Sequence, residues 1–180
     1  VDRRQRQMCI RDSNHLDVGV GSGYFLDKVN FPSPSPRVAL MDLNPNSLDY
    51  CAQRISRYQP ETLQRNVLEP IDYQGGKFDS LGMSLLLHCL PGTMAEKAHA
   101  FDYLLPLLTP GARVFGATIL QGDVPRNVAA RGLMKVYNRK GIFSNQNDSL
   151  ASLKQALESR LDQVEVQVEG CMALFSGGTC

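Results

Sequence analysis

The stretch Asp17-Val18-Gly19-Val20-Gly21-Ser22-Gly23 decides how this chain is read. Leu16 precedes it, and residues 16–20 have the apolar character of a short buried strand. Tyr24-Phe25-Leu26-Asp27-Lys28-Val29 follows and suits the opening turns of a helix. Glycines between a strand and a helix let backbone approach a ligand closely, and a helix start offers free N–H groups to an anion. A dinucleotide fingerprint, G-x-G-x-x-G, requires glycine at position 24. Tyr24 stands there, so the pattern is acid-x-Gly-x-Gly-x-Gly. A glycine-rich turn that holds no ligand is the alternative.

A second feature lies downstream. Val38-Ala39-Leu40-Met41 is strand-like and closes on Asp42, followed by Leu43-Asn44-Pro45. An acid at the end of the second strand, about 20 residues past the glycines, is where a nucleoside ribose finds an acceptor for its two hydroxyls. A turn or cap role for Asp42 stays open, because Asn44-Pro45 opens a helix well. Together the two features resemble motif I and the acidic second strand of the class I S-adenosylmethionine (SAM) dependent methyltransferases, a likeness that runs from about residue 15 to residue 176.

Pattern along the chain predicts the elements of such a fold. Strands are expected at 16–20, Arg37–Asp42, 62–68, 78–87, 112–120, 164–168 and 171–176, and helices at 45–57, 94–108, 127–139 and 149–161. Leu150, Leu153, Leu157 and Leu161 give the last helix one apolar face, whereas Val164-Glu165-Val166-Gln167-Val168 alternates as a half-exposed strand does. Strands alternating with helices imply a mostly parallel α/β sheet with helices on both faces. Little more than Glu169-Gly170 separates the last two strands, which is too short for a helical crossover and demands an antiparallel hairpin. A Rossmann-like sheet with an antiparallel C-terminal strand is also what the methyltransferase resemblance implies.

Composition narrows the class. The 180 residues, 43% hydrophobic and 21% charged, suit one globular domain. No apolar run reaches the roughly 18 residues of a membrane span, so no membrane partner is expected. Five cysteines without a C-x-x-C pair, and three scattered histidines, favour reduced thiols in a cytoplasmic protein and argue against a metal site. Residues 1–13, VDRRQRQMCIRDS, lack any period; the remainder carries 15 basic against 16 acidic side chains. The string MCIRDS resembles translated sequencing-adaptor sequence. Residues 1–13 are therefore expected to be a non-native or disordered arm, and residues 14–180 a SAM-binding domain without its natural front end.

The resemblance assigns site residues. Asp17, Gly19, Gly21 and Gly23 would hold the methionine end of SAM. Asp42, with Leu43 beside it, would take the ribose, and Asn66 and Val67 would border the adenine; Asn66 as a plain loop residue remains open. His88 follows the apolar run Ser84-Leu85-Leu86-Leu87 at the expected end of strand four. Ligands bind outside the carboxyl ends of such strands, and imidazole suits proton removal from a hydroxyl. His88 is the candidate general base, with a wall of the cofactor site as its alternative. Cys89 lacks the Pro-Cys context of a covalent pyrimidine methyltransferase and is expected to be buried beside His88. No Asp/Asn-Pro-Pro-Tyr follows strand four. Arg131, Lys135 and Arg139 step along one helical face, read as solvated, with an acidic substrate or RNA as the other reading. Net charge near zero argues against nucleic acid. The words HCLPGTMAEKA (88–98) and YNRKGIFSN (137–145) are similar to small stand-alone bacterial and fungal methyltransferases of natural-product type. That implies transfer of a methyl group from SAM to a small organic acceptor, expected at oxygen. An RNA or protein methyltransferase, or a SAM-binding protein without turnover, is the alternative.

Overall fold

In the computed structural model, which describes residues 14–126 and 128–180, the expected strands assemble into one seven-stranded sheet. The arm expected at residues 1–13 lies outside the described residues. Strand β1 (Asn14–Val18) stops two residues early because Gly19 takes φ 70° and leaves the ladder. A short helix α1 (Tyr24–Lys28) leads to β2 (Arg37–Asp42) and α2 (Pro45–Arg54). Asn44 caps α2 by accepting the Asn46 N–H, and Pro45 fills the first turn, where its missing donor costs nothing. The helix expected to reach residue 57 ends at Arg54 in a 3-10 turn, Ser56–Tyr58.

Strand β3 (Glu61–Gln64) is shorter than the 62–68 expected and lies on the sheet edge. Strand β4 (Phe78–Ser84) also ends early, at Leu85 with φ 61°. The helix expected at 94–108 is divided into α3 (Met94–Lys97) and α4 (His99–Leu104), then a 3-10 turn, Leu105–Leu107. Pro106 explains the stop, since its ring clashes with a preceding helical turn and it has no N–H to donate. Leu108 therefore opens β5 (Leu108–Ile119) rather than closing a helix. Helices α5 (Val128–Arg139) and α6 (Leu150–Glu158) precede the hairpin β6 (Asp162–Glu169) and β7 (Met172–Gly178).

The strand order is β3-β2-β1-β4-β5-β7-β6, and β7 runs antiparallel to both of its neighbours. The expected hairpin is present, with β7 inserted between β5 and β6. Alternation then sorts the core. Leu16, Val18, Ala39, Met41, Leu81 and Met83 face Phe101, Leu104, Leu153 and Leu157 of α4 and α6. Val38 and Leu40 face Leu26, Leu48 and Cys51 of α1 and α2 on the other side. Each buried Leu or Phe contributes about 1.5–3 kcal/mol relative to exposure. Among the described residues no helix is long and apolar enough to cross a membrane. The chain order reverses between β1 and β4, which opens a crevice beyond their carboxyl ends.

Candidate functional site

At that crevice the loop after β1 is shaped by left-handed backbone, with φ 70°, 51° and 65° at Gly19, Gly21 and Gly23. The Gly19 N–H donates to the Met41 carbonyl (2.8 Å) and the Gly23 N–H to Val20 (3.0 Å), so the loop is tied to the ends of β1 and β2. A Cβ on Gly23 would sit 2.5 Å from Cys51 Sγ, whereas one on Gly21 would meet nothing within 4 Å. Gly23 is thus needed for packing on α2, and Gly21 stands on the open side where a ligand can reach backbone. The helix that follows has only five residues, too few for a strong macrodipole, so the turn itself supplies the cradle.

Asp17 lies under this loop, 6% exposed, and its Oδ1 has no hydrogen-bond partner. Asp42 ends β2, half-buried, and its Oδ1 accepts the Asn44 N–H at 2.9 Å. A carboxylate offers about four acceptor positions, so this bond leaves most of its capacity. Burial foremost, then the Asp17 charge, with a smaller push from Asp42, raises the Cys51 thiol to about 12 against the opposing pull of Arg54. Both carboxylates therefore act on one small region at the carboxyl ends of β1 and β2. Leu43, 62% exposed, offers an apolar surface beside them.

The third-strand residues depart from expectation. Because β3 ends at Gln64, Asn66 and Val67 lie in the turn beyond it. Asn66 Oδ1 accepts the Leu68 N–H, and its amide donates to Glu69. Val67 packs its side chain into the core with Leu16 and Met41. The turn they form stays near the crevice edge, but the Val67 side chain is closed to a ligand.

The chain after β4 also differs. Leu85 in left-handed backbone costs on the order of 1–3 kcal/mol and redirects the chain; its N–H donates to the Ala117 carbonyl (2.7 Å). Leu86 then packs over Gly19, where a Cβ would be 3.0 Å away. His88 sits in a 3-10 turn, Leu87–Cys89, not at a strand end, and is only 3% exposed. Its Nδ1 accepts the Ile119 N–H at 3.4 Å, and Phe143 stands edge-on to the ring at 4.6 Å. Burial, and secondarily the Lys97 charge, pushes the imidazole down to about 4. Cys89 is exposed rather than buried, because the same turn rotates it outward.

Sequence reasoning missed the polar lattice behind this turn. Lys97 and Asp148 are both fully buried, with Nζ 2.6 Å from Asp148 Oδ2 and 2.6 Å from the Ser144 carbonyl. Asn145, also fully buried, receives amide protons from Gln121 and Asn138 and donates to the Ile119 carbonyl. These bonds hold residues 138–149 over the end of β5. A Lys inside an apolar helical face is the only local sign of such a pair. Between this segment and residues 89–96 lies a cavity of about 610 Å³, bordered by Cys89, Thr93, Asn138, Phe143, Gln146 and Asn147 among others. Arg131, Lys135, Arg139 and Lys140 are solvent-exposed.

At the carboxyl ends of β1 and β2 the crevice brings together an open glycine turn, the nearly buried Asp17 and the half-buried Asp42. The 3-2-1-4-5-7-6 sheet is that of the class I SAM-dependent methyltransferases, and the chain belongs to that family. The sequence model of the methyltransferase domain matches residues 16–114. A demethylluteothin O-methyltransferase of Streptomyces thioluteus is 40% identical over 179 residues, which cover 99% of this chain and 77% of that protein. A physcion biosynthesis cluster O-methyltransferase of Aspergillus chevalieri is 37% identical over 164 residues, 91% of this chain and 73% of its own length. The crystal structure of the N-methyltransferase NodS from Bradyrhizobium japonicum WM9 with S-adenosylhomocysteine (SAH) superposes with a TM-score of 0.66 at 19% identity. That match covers 98% of this chain and 86% of NodS.

Proposed function

We propose that this chain methylates a small organic acceptor at oxygen, and that the acceptor enters the cavity between residues 89–96 and 138–147. The cavity carries the reading. Its volume, about 610 Å³, falls within the ~300–1,000 Å³ typical of small-molecule sites. The described residues that line it include one aromatic ring, several amides and hydroxyls, one carboxylate, Glu96, that accepts from Thr93, and no lysine or arginine. Such a wall suits a small, partly aromatic acceptor that is not an anion and offers nothing to a phosphate backbone. Two relatives named as O-methyltransferases support oxygen as the accepting atom.

The cofactor, when bound, supplies an activated methyl on a sulfonium. Gly19, Gly21 and Gly23 would hold its amino-acid chain by backbone, Asp17 its ammonium, Asp42 its ribose and Leu43 a face of its base. What remains for the protein is position and exclusion of water. Leu86, packed on Gly19, and the buried His88, edge-on to Phe143, lie on the segment that runs from the loop to the cavity. With Nδ1 engaged by Ile119, a neutral imidazole carries its proton on Nε2. His88 is accordingly read as a wall and hydrogen-bond donor, and the earlier expectation of a general base gives way to that reading.

The test is methyl transfer from labelled SAM to a panel of phenols, carboxylic acids, amines and RNA oligonucleotides, with wild type and His88→Gln. Product is expected with hydroxylated small molecules, and His88→Gln should keep kcat within about tenfold. A fall of roughly 10²–10⁴ would restore the base role. Tight SAM binding without product in any arm would overturn the catalytic reading.

A further inference from the structure

Two buried polar atoms beside the glycine loop lack hydrogen-bond partners, and they face each other. His15 Nε2 and Asp17 Oδ1 are 3.7 Å apart on β1, with His15 fully buried and Asp17 nearly so. The other ring nitrogen, Nδ1, is 2.9 Å from Ser80 Oγ on β4, also fully buried. The ring stacks on Phe115 of β5 at 5.8 Å and 14°, and Phe31 stands 5.9 Å away. The groups that face it are therefore Asp17, Ser80, Phe115 and Phe31. Of these Asp17 alone is charged.

Chemistry fixes the direction of this chain. A bare Nε2 lone pair facing a carboxylate oxygen in a dry interior would leave both acceptors unsatisfied and mutually repelling. The alternative places the Ser80 hydroxyl proton on the bond to Nδ1, so the imidazole proton resides on Nε2 and is aimed at Asp17. At 3.7 Å that contact is longer than a hydrogen bond, so it restrains the carboxylate without saturating it. The neighbouring strand is shaped around the same oxygen, because a Cβ on Gly82 would come within 2.6 Å of Asp17 Oδ1.

We propose that Ser80, His15 and Asp17 form a buried relay in which His15 is a positioning residue, presenting the Asp17 carboxylate to the ammonium of the cofactor's amino-acid end. This rests on the reading of Asp17 given above. The relay predicts an affinity effect confined to ligands that carry the ammonium.

The experiment compares SAH, which has that end, with 5′-methylthioadenosine, which lacks it, by calorimetry. The proteins are wild type, His15→Phe, Ser80→Ala and Asp17→Asn, each checked for folding by thermal melt. His15→Phe should weaken SAH by roughly three- to tenfold, less than the loss of a full hydrogen bond to a charged group, and leave methylthioadenosine unchanged. Ser80→Ala should act in the same direction and more weakly, and it carries the test should the larger ring fail to pack. Nitrogen-resolved NMR of His15 should show the Nε2–H tautomer. Equal losses for both ligands, or an Nδ1–H tautomer, would overturn the relay. Unchanged SAH affinity in Asp17→Asn would instead overturn the reading of Asp17. A loss there combined with none in His15→Phe and Ser80→Ala would remove His15 alone.

Discussion

Replacing Lys97 with methionine should be among the most damaging single changes in this protein outside its central core. Both partners of the Lys97–Asp148 pair are fully buried, and Nζ also donates to the Ser144 carbonyl, each contact at 2.6 Å. Burial raises the Asp148 carboxyl even against the lowering pull of Lys97, and Asp148 Oδ1 already lacks a partner. Lys97→Met would leave that carboxylate with no donor at either oxygen. Removing one member of a buried pair costs about 3–5 kcal/mol. For a chain of 180 residues that corresponds to a Tm fall of roughly 6–20 °C. The double variant Lys97→Met/Asp148→Leu should recover most of the loss, since two packed apolar groups need no desolvation. The Asp148 backbone carbonyl would still accept the Gln121 and Gly122 N–H groups. Urea unfolding of wild type, single and double variants is the assay. A single variant within about 1 kcal/mol of wild type, or a double variant no better than the single, would refute the argument.

Three further outcomes follow from the site. Asp42→Ala should weaken SAM binding by about 1.5–3 kcal/mol, the scale of a hydrogen bond to a charged group, and calorimetry would show it; unchanged affinity would remove Asp42 from the site. Gly23→Ala should destabilise the fold and impair SAM binding together, because a Cβ would lie 2.5 Å from Cys51 Sγ at φ 65°; thermal melts with and without SAM would read both. Acid should cost stability through His88, whose folded value of about 4 lies below the 6.5 of a free imidazole. The unfolded state binds more protons in between, so stability is full above about pH 6.5 and falls by about 3 kcal/mol on approach to pH 4. The difference between wild-type and His88→Gln curves isolates this from Asp148, and parallel curves would contradict it.

What was legible in the sequence was what depends on short-range pattern. The glycines, the acid closing β2, the two-period strands and the Glu169-Gly170 link each announce a local geometry, and the sheet follows from them by rules of connection. The errors fall where a distant partner decides. Leu85, Leu86 and Leu87 read as strand because they are apolar, but the ladder ends at Ser84 and the following chain is bent back over Gly19. The strand expected to run to residue 68 stops at Gln64, so Val67 lies in a turn, where its side chain completes the core. Pro106 was a local signal, and the periodic leucines around it obscured the break. The Lys97–Asp148 and Asn145 contacts join segments up to 51 residues apart, and no spacing rule finds such pairs.

One segment links the two halves of the site. Residues 85–93 begin beside the glycine loop, where Leu86 packs on Gly19, and end on the cavity wall at Cys89 and Thr93. Midway, the His88 carbonyl accepts the Ser144 N–H at 2.8 Å, and Ser144 in turn accepts from Lys97. A change in the 138–149 segment can therefore reach the glycine loop through a short chain of packed and bonded groups, of which Ser144 also lines the cavity. This arrangement divides the labour of the molecule. The glycine turn and two carboxylates sit on sheet ends that tolerate little change. The cavity wall is a connecting segment held by a few buried polar bonds, and its outward side chains Gln146 and Asn147 take no part in those bonds. Substitutions at Gln146 or Asn147 should thus alter which acceptor is used while leaving SAM affinity and stability near wild type. The check is a comparison of acceptor KM, SAM affinity and Tm for Gln146→Ala and Asn147→Ala. Equal losses of SAM affinity and acceptor binding would mean that the two halves are not separable in this way.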